Sequence, residues 1–288
     1  MLLADKWTDY ALIDAAHGEK AERWGNVVLV RPDPQAIWHE EFDKKIWKNA
    51  DAYYHRSKSG GGAWDFKKNL DDMWNISYND LTFKVKPMGF KHTGIFPEQA
   101  VNWDFIRTAV SKRGGNVKVL NMFAYTGGAT VAAAKAGASV VHVDAAKGMV
   151  NRAKENAAAS GLKDAHIRYI VDDCIKFAER EIRRGNKYDA IIMDPPSYGR
   201  GPGGEVWKFD DELYNLVKRC SMLLSDNPLF FIINSYTTGI SHSVVANVLD
   251  ITVRRKYKGN VTSDEIGLPI HSSNLVLPCG AATRWFNF

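Results

Sequence analysis

Five short apolar runs, each closing on a polar or acidic residue, constrain this chain more than any other feature. They are VKVLN ending at Asn121, SVVHV running into Asp144, IRYIV running into Asp172, YDAIIM running into Asp194 and LFFII running into Asn234. Helix-forming stretches separate them. A small-residue helix spans Gly127 to Ala136 and is stopped by Gly137; one through MVNRAKENAAAS is stopped by Gly161; one from Cys174 to Arg184 is stopped by Gly185. FDDELYNLVKRCSMLL forms another, with an apolar face at Leu213, Leu216, Val217 and Leu223. Strands apolar along their whole length need cover on both faces, and helices of this length supply it. With right-handed crossovers the fold class is α/β, a Rossmann-like doubly wound sheet, mostly parallel. From about Lys256 two more extended stretches, one of them NLVLPCGAATRWF, predict an antiparallel pair at the sheet edge.

The first 85 residues have a different texture. NVVLV precedes RPDPQAIW, whose prolines forbid a regular helix, and ISYNDLTFKV predicts a hairpin turning near Asn79-Asp80. We read residues 1–85 as a small β-rich domain, with Ser59-Gly60-Gly61-Gly62 as a loop within it, and residues 86–288 as the α/β domain. No apolar run reaches about 18 residues, and MLLADKWTDY lacks a secretory pattern. The three cysteines, Cys174, Cys220 and Cys279, form no pair and no metal-ligand spacing, which predicts a reducing, cytoplasmic setting and no metal. The formal charge of +5 is compatible with a phosphate-bearing partner, though so mild an excess is more often an ordinary solvated surface.

In an open parallel sheet, ligands bind beyond the carboxyl ends of the strands. Standing there are Asn121 to Gly128, Asp144, Asp172-Asp173-Cys174, Asp194-Pro195-Pro196-Ser197-Tyr198 and Asn234 to Gly239. Adjacent Gly127 and Gly128 allow close approach to a ligand, or simply a tight turn into the helix. Asp144 has the spacing of an acid that accepts from both hydroxyls of a ribose; capping the next helix is the other reading. Asp173 can cap its helix and accept from an adenine amino group. Asp194-Pro195-Pro196 sets a carboxylate on stiff backbone, and proline, lacking an amide hydrogen, leaves its carbonyl as a fixed acceptor. That suits holding an acceptor beside a sulfonium methyl. GRGPGGEVWKF follows, with Arg200, Trp207 and Lys208, and predicts a basic aromatic flap or a plain surface loop. A nicotinamide oxidoreductase could use such a sheet, but Asp172, Asp173 and Asp194 repel a pyrophosphate and attract a sulfonium. A cofactor-binding module without turnover would use the same residues.

Together, the NxFxYTGG loop over 121–128, the acid Asp144, Asp172-Asp173 and the DPPSYGRG segment resemble the class I S-adenosylmethionine-dependent methyltransferases. More narrowly, with KHTGIFPEQAVNW (Lys91 to Trp103), a KTG-x-F-x-x-Q pattern, they are similar to the group of bacterial 23S ribosomal RNA large-subunit cytosine-5 methyltransferases. The resemblance covers roughly residues 86–250. It implies S-adenosyl-L-methionine as cofactor, with Phe123, Ala124, Tyr125, Thr126 and Gly127 around the methionine part and Asn121 among the binding residues. Thr93, Phe96 and Gln99 would close over it, Asp144 would hold the ribose, Asp173 and Cys174 would flank the adenine. Asp194 and Pro195 would sit beside the transferred methyl, binding the cofactor and acting as catalytic residues; holding an amine and stacking the base adds Tyr198 to the catalytic candidates, and RNA, ribosomal RNA first, is the implied substrate. Two departures stand out. Residues 1–85 show no clear RNA-binding module. The cysteine that follows the fifth strand in that group is missing; Asn234-Ser235-Tyr236 stands there, and a serine hydroxyl is far less acidic than a thiol. The reaction expected is therefore direct transfer to a nitrogen or other nucleophile, driven by proximity and orientation.

Overall fold

The two textures of the sequence become two compact units in the computed structural model, which describes residues 1–57, 61–200, 206–237 and 239–288. One unit is Met1–Val101 with Ile266–Cys279; the other is Asn102–Glu265 with Gly280–Phe288. Of the expected loops, Ser59 and Gly60 lie outside the described residues, as do 201–205 of the flap.

The first unit is β-rich. Its strands are β1 (Leu2–Leu3), β2 (Tyr10–Ala16), β3 (Glu19–Trp24), β4 (Val27–Pro32), β5 (Ala52–Arg56), β6 (Gly62–Phe66), β7 (Trp74–Tyr78) and β8 (Leu81–Val85), with helix α1 (Lys44–Asn49) before β5. β2 to β6 form one sheet in sequence order, antiparallel except for the β4–β5 pair. β7 and β8 form the expected hairpin, and Asn79 takes the left-handed φ of 52° that its tight turn requires. Tyr10, Trp24, Ile76, Tyr78 and Phe83 are buried, and Tyr10 meets Trp24 edge-on at 4.7 Å.

Two segments join this unit by specific bonds. Residues 86–93 double back, with Lys86 N donating to Thr93 O and Met88 N to His92 O; Arg31 Nη1 and Trp64 Nε1 then donate to the carbonyls of Lys91 and Met88. The late segment 266–279 adds strand pairing, Ile266 beside Leu2 and Ile270 beside Leu12. Ser272 also donates to Asp14, a fully buried carboxylate that further accepts from the amides of Ala15, Phe42 and Asp43 and from the Trp47 indole. The boundary therefore falls after residue 101, where the sequence reading set one near 85.

The second unit holds the α/β sheet. After α2 (Ala100–Arg113, shared at its first turn with the first unit) come β9 (Lys118–Met122), α3 (Gly128–Lys135), β10 (Ser139–Asp144), α4 (Lys147–Ala159), β11 (Ile167–Val171), α5 (Cys174–Arg183) and β12 (Ala190–Met193). A short ribbon, β13 (Tyr198–Arg200) and β14 (Val206–Lys208), leads to α6 (Phe209–Ser221), β15 (Phe230–Ser235) and α7 (His242–Leu249). The last strands are β16 (Asn260–Pro269) and β17 (Val276–Phe286). The strand order is β11-β10-β9-β12-β15-β17-β16. β11 to β15 run parallel and β17 is antiparallel to β15, the edge the sequence predicted.

Neighbouring residues of each strand enter opposite cores. Val119, Ile192, Phe230 and Ile232 face α2 and α3 through Ile106, Ala109 and Ala133. Leu120, Ile191, Phe231 and Ile233 face the core of Phe177, Leu213, Leu216, Val217 and Leu223. Each such phenylalanine contributes about 1.5–3 kcal/mol by burial, which explains why these strands carry no polar side. The strand order reverses between β9 and β12, so the loops after those strands open at the switch point where such sheets bind ligands.

Candidate active site

The loop after β9 is strained. Phe123 and Tyr125 take left-handed φ values of 53° and 49°, and Gly127 follows at 82°. Each of the first two costs on the order of 1–2 kcal/mol, so the surroundings must hold them. They do. Phe123 N donates to Cys174 Sγ (3.2 Å), Ala124 N to Val143 O (3.1 Å) and Tyr125 N to Asp144 Oδ2 (2.8 Å). The Thr126 carbonyl accepts from Asn156 Nδ2 at 2.8 Å. A Cβ on Gly127 would lie 2.9 Å from Ala153 Cβ, and one on Gly128 2.7 Å from the Trp103 ring. The paired glycines thus let helices α2 and α4 pack close; Gly127 adds the left-handed turn.

Asp144 ends β10 half-buried. Its Oδ1 accepts from Ala146 N (2.8 Å) and its Oδ2 from Tyr125 N. A carboxylate offers about four lone-pair directions, so two amides fix its orientation and leave capacity for a diol. Asp173 caps α5, accepting from Lys176 N at 2.9 Å. Its neighbour Asp172 is salt-bridged to Arg180. The buried Cys174 accepts from Phe123 N and points its thiol toward Val143 O. Burial raises its pKa well above the usual thiol range. Asn121 is buried, and its side-chain amide donates to Thr130 Oγ1 (2.9 Å). Thr130 in turn meets His142 Nδ1 at 2.9 Å, and burial lowers the His142 pKa to about 4, so the ring is neutral. Asn121 therefore works as a brace behind the loop.

Asp194 follows β12, its amide donating to Met122 O across the switch point (3.4 Å). Pro195 is buried, while Pro196 and Ser197 are exposed. The Pro196 carbonyl accepts from Trp207 Nε1 (2.6 Å), and Ser197 O accepts from Phe209 N (3.1 Å). Tyr198, half-exposed, pairs with Lys208 across the β13–β14 ribbon. Trp207 thereby sits 6.2 Å from the Phe123 ring, inclined 39° to it. The flap residue expected from sequence is tied to the proline corner and to the first loop at once. Just after β15, Thr237 Oγ1 donates to Ser197 Oγ (2.9 Å), and within β15 Asn234 accepts from Asn102 at 2.9 Å.

Thr93, Phe96 and Gln99 lie in the first unit. Thr93 is buried with no hydrogen-bond partner for its hydroxyl among the described residues, and Gln99 closes a short 3-10 turn over Pro97–Gln99. Sequence reasoning missed Asn102, Asn156, Thr130 and Arg284. Arg284 is buried in β17, donates to Asn102 Oδ1 (2.8 Å) and has its pKa lowered by burial to about 10. A charged residue within the apolar run AATRWF was the available signal. A cavity of about 480 Å³ near Ser139, His166, Ile167 and Tyr188 opens at the amino ends of the strands, the wrong end for the loops described above.

Comparison with known proteins agrees with this geometry. The S-adenosylmethionine-dependent methyltransferase family matches residues 51–247, and the chain belongs to that family. Its cofactor is accordingly S-adenosylmethionine, and the nicotinamide alternative falls away. A SAM-dependent methyltransferase from Agrobacterium tumefaciens, known from its crystal structure, is similar over 99% of this chain and 92% of its own, at 37% identity and a TM-score of 0.94. The ribosomal RNA large subunit methyltransferase K/L of Shewanella baltica is 32% identical over 190 residues, 62% of this chain and 26% of that protein. The ribosomal RNA large subunit methyltransferase I of Aeromonas salmonicida is 37% identical over 124 residues, 43% of this chain and 30% of that protein. The chain thus spans less than a third of the length of each of these two relatives. Among the described residues, no helix is long and apolar enough to cross a membrane.

Proposed function

We propose that this methyltransferase acts on RNA, ribosomal RNA first, by direct transfer without a covalent bond to the enzyme. The observation that carries the direct route is the state of the thiols. Burial raises the pKa of Cys174, Cys220 and Cys279, that of Cys220 to about 12, and β15 ends on Ser235. Burial disfavours the thiolate at each of them and no cysteine follows β15, which favours the direct route. The names of the two relatives support RNA as substrate, and so does the Phe123–Trp207 pair, an aromatic surface for stacking a base beside the proline corner.

The residues fit the cofactor by the capacity left on Asp144 and by the strained, over-braced loop before it. Bound there, S-adenosylmethionine supplies a methyl group on a positively charged sulfur. Phe123, Ala124, Tyr125, Thr126 and Gly127 hold its methionine part, Asp144 accepts from the ribose hydroxyls, and Asp173 receives the adenine amino group. Asn121 and Cys174 act by bracing. Thr93, Phe96 and Gln99 are kept as cofactor residues on the resemblance alone. The Asp194 carboxylate and the Pro195 carbonyl accept from an amine of the target base and orient its lone pair, while Tyr198 lies against the base. The setting is cytoplasmic.

The test is transfer of label from methyl-labelled S-adenosylmethionine to separated ribosomal RNA, transfer RNA, protein and small molecules from cells lacking the gene. Label in ribosomal RNA is the expected result. Label in protein or small molecules alone overturns the RNA reading and keeps the methyltransferase. Cofactor binding without label in any fraction favours a module without turnover.

A further inference from the structure

The first unit carries a pocket of its own. It measures about 350 Å³ and is lined by Tyr54, Arg56, Phe90, Lys91 and His92, among others. That volume is within the range of small-molecule sites, about 300–1,000 Å³. Its walls come from β5, from Ser57 and Gly61 between β5 and β6, and from the segment after β8. β5 contributes Tyr54, buried, with its hydroxyl 3.3 Å from Gly89 O, and Arg56, exposed. The doubled-back segment after β8 contributes Phe90, Lys91 and His92, and Phe90 is 72% exposed.

The charges around the pocket are unbalanced. Lys91 is half-buried, yet its ammonium donates to a carbonyl, Pro32 O at 3.0 Å. No carboxylate forms an ion pair with it among the described residues. Its pKa falls to about 8, chiefly by burial, then by the neighbouring Lys20, with Arg31 and Arg56 adding to the repulsion against the pull of Asp33. The nearby acids are already engaged: Glu22 by Arg31 and Lys20, and Asp33 by Lys20 at 3.1 Å. His92 feels the same field; burial, Arg31 and Lys91 lower its pKa to about 4, leaving the ring neutral. A half-buried cation that lines a cavity, with Asp33 already paired with Lys20, leaves room for an anion there. An exposed aromatic ring beside it adds a flat apolar surface.

We propose that this pocket takes one nucleotide of a single-stranded stretch of the RNA substrate, the phosphate between Lys91 and Arg56 and the base against Phe90. Stacking plus phosphate pairing is how sequence-tolerant single-strand sites are built. The neutral His92 ring can donate to or accept from the base or sugar. The proposal rests on the RNA reading above and gives the first unit a share in holding the substrate.

The experiment measures binding of a fluorescent single-stranded fragment of large-subunit ribosomal RNA to the full chain, with polyglutamate as a competitor that has charge but no base. Arg56→Ala and Phe90→Ala alter exposed side chains; Lys91→Met keeps the buried stem, and S-adenosylhomocysteine affinity reports folding. Phe90→Ala is expected to weaken RNA binding about tenfold. Arg56→Ala and Lys91→Met should each reduce the slope of log affinity against log salt by about 0.7, the single-strand value per phosphate contact. S-adenosylhomocysteine affinity should stay unchanged in all three. Variants that bind RNA like the parent, while the parent binds and methylates it, overturn the pocket and leave the RNA reading standing. Polyglutamate competing as well as RNA overturns the nucleotide assignment. A parent that neither binds nor methylates RNA overturns both.

Discussion

Glu22 and Asp144 are both strand carboxylates, and the two units treat them in opposite ways. Glu22 lies within β3 and is fully buried. It accepts from the Tyr10 hydroxyl (2.7 Å) and from two nitrogens of Arg31, with Lys20 at 3.6 Å. Burial alone would raise its pKa; Arg31 and Lys20 outweigh that and hold it at about 2. Asp144 stands at the end of β10, half-buried, held by two backbone amides and by no cation among the described residues. A carboxylate within a strand is enclosed by its neighbours and saturates on them. One at a strand end is oriented by backbone and keeps lone pairs for a ligand.

The largest effect that could break this contrast is at Glu22. Glu22→Ala should destabilise the first unit by about 3–5 kcal/mol, because Arg31 and Lys20 lose their buried partner. Urea unfolding followed by tryptophan fluorescence measures it; a loss under about 1 kcal/mol would show the pair to be replaceable. The pH dependence has a definite sign. The folded pKa lies below the ordinary 4.5, so the contribution is complete above about pH 4.5 and is lost as pH falls toward 2.

Asp194→Ala comes next. Labelled methyl transfer at saturating cofactor should fall about 100-fold or more, the effect of losing orientation at the reacting centre. Unchanged turnover would remove Asp194 from the catalytic set. Asp144→Asn should weaken S-adenosylhomocysteine binding about tenfold by calorimetry, since hydrogen bonds to a charged group contribute about 1.5–3 kcal/mol and the amide keeps one acceptor. Equal affinity would make Asp144 a brace of the same kind as Glu22. The smallest effect is at Cys174. Cys174→Ala should cost about 1 kcal/mol of stability, through the lost acceptor for Phe123 N. In the folded parent, Cys174, Cys220 and Cys279 should resist alkylation at pH 8; rapid labelling of any of them would reopen a thiolate mechanism.

The same contrast explains what the sequence could tell. The sheet was legible because its strands are apolar on both sides, as in YDAIIM and LFFII, and each ends where the pattern breaks. The Asn79-Asp80 hairpin was legible because its turn chemistry is local. The sequence placed Asp144 and Asp173 beyond their strands and offered the cap at Asp173, whereas the amides that orient Asp144 emerge only in three dimensions. Asn121 entered as a cofactor residue through the resemblance, and the direction of its side-chain amide depends on Thr130 and His142 from other elements. The ion network of Glu22, Arg31, Lys20 and Asp33 left no trace, because exposed and buried charges have the same letters.

The strand exchange at the end of the chain bears on how the protein is made. On a ribosome, residues 1–101 emerge before 266–279, with Leu12 of β2 lacking its bridge to Ile270 and Asp14 lacking the hydroxyl of Ser272. The first unit stays incomplete through the synthesis of the whole parallel sheet, with an open strand edge of the kind that invites mispairing. Only when residues 266–279 have been made does that edge close, and only with residues 280–288 does β17 pair along β15 from Ser235 to Phe230. The unit begun first and the unit begun second are completed within a few residues of each other.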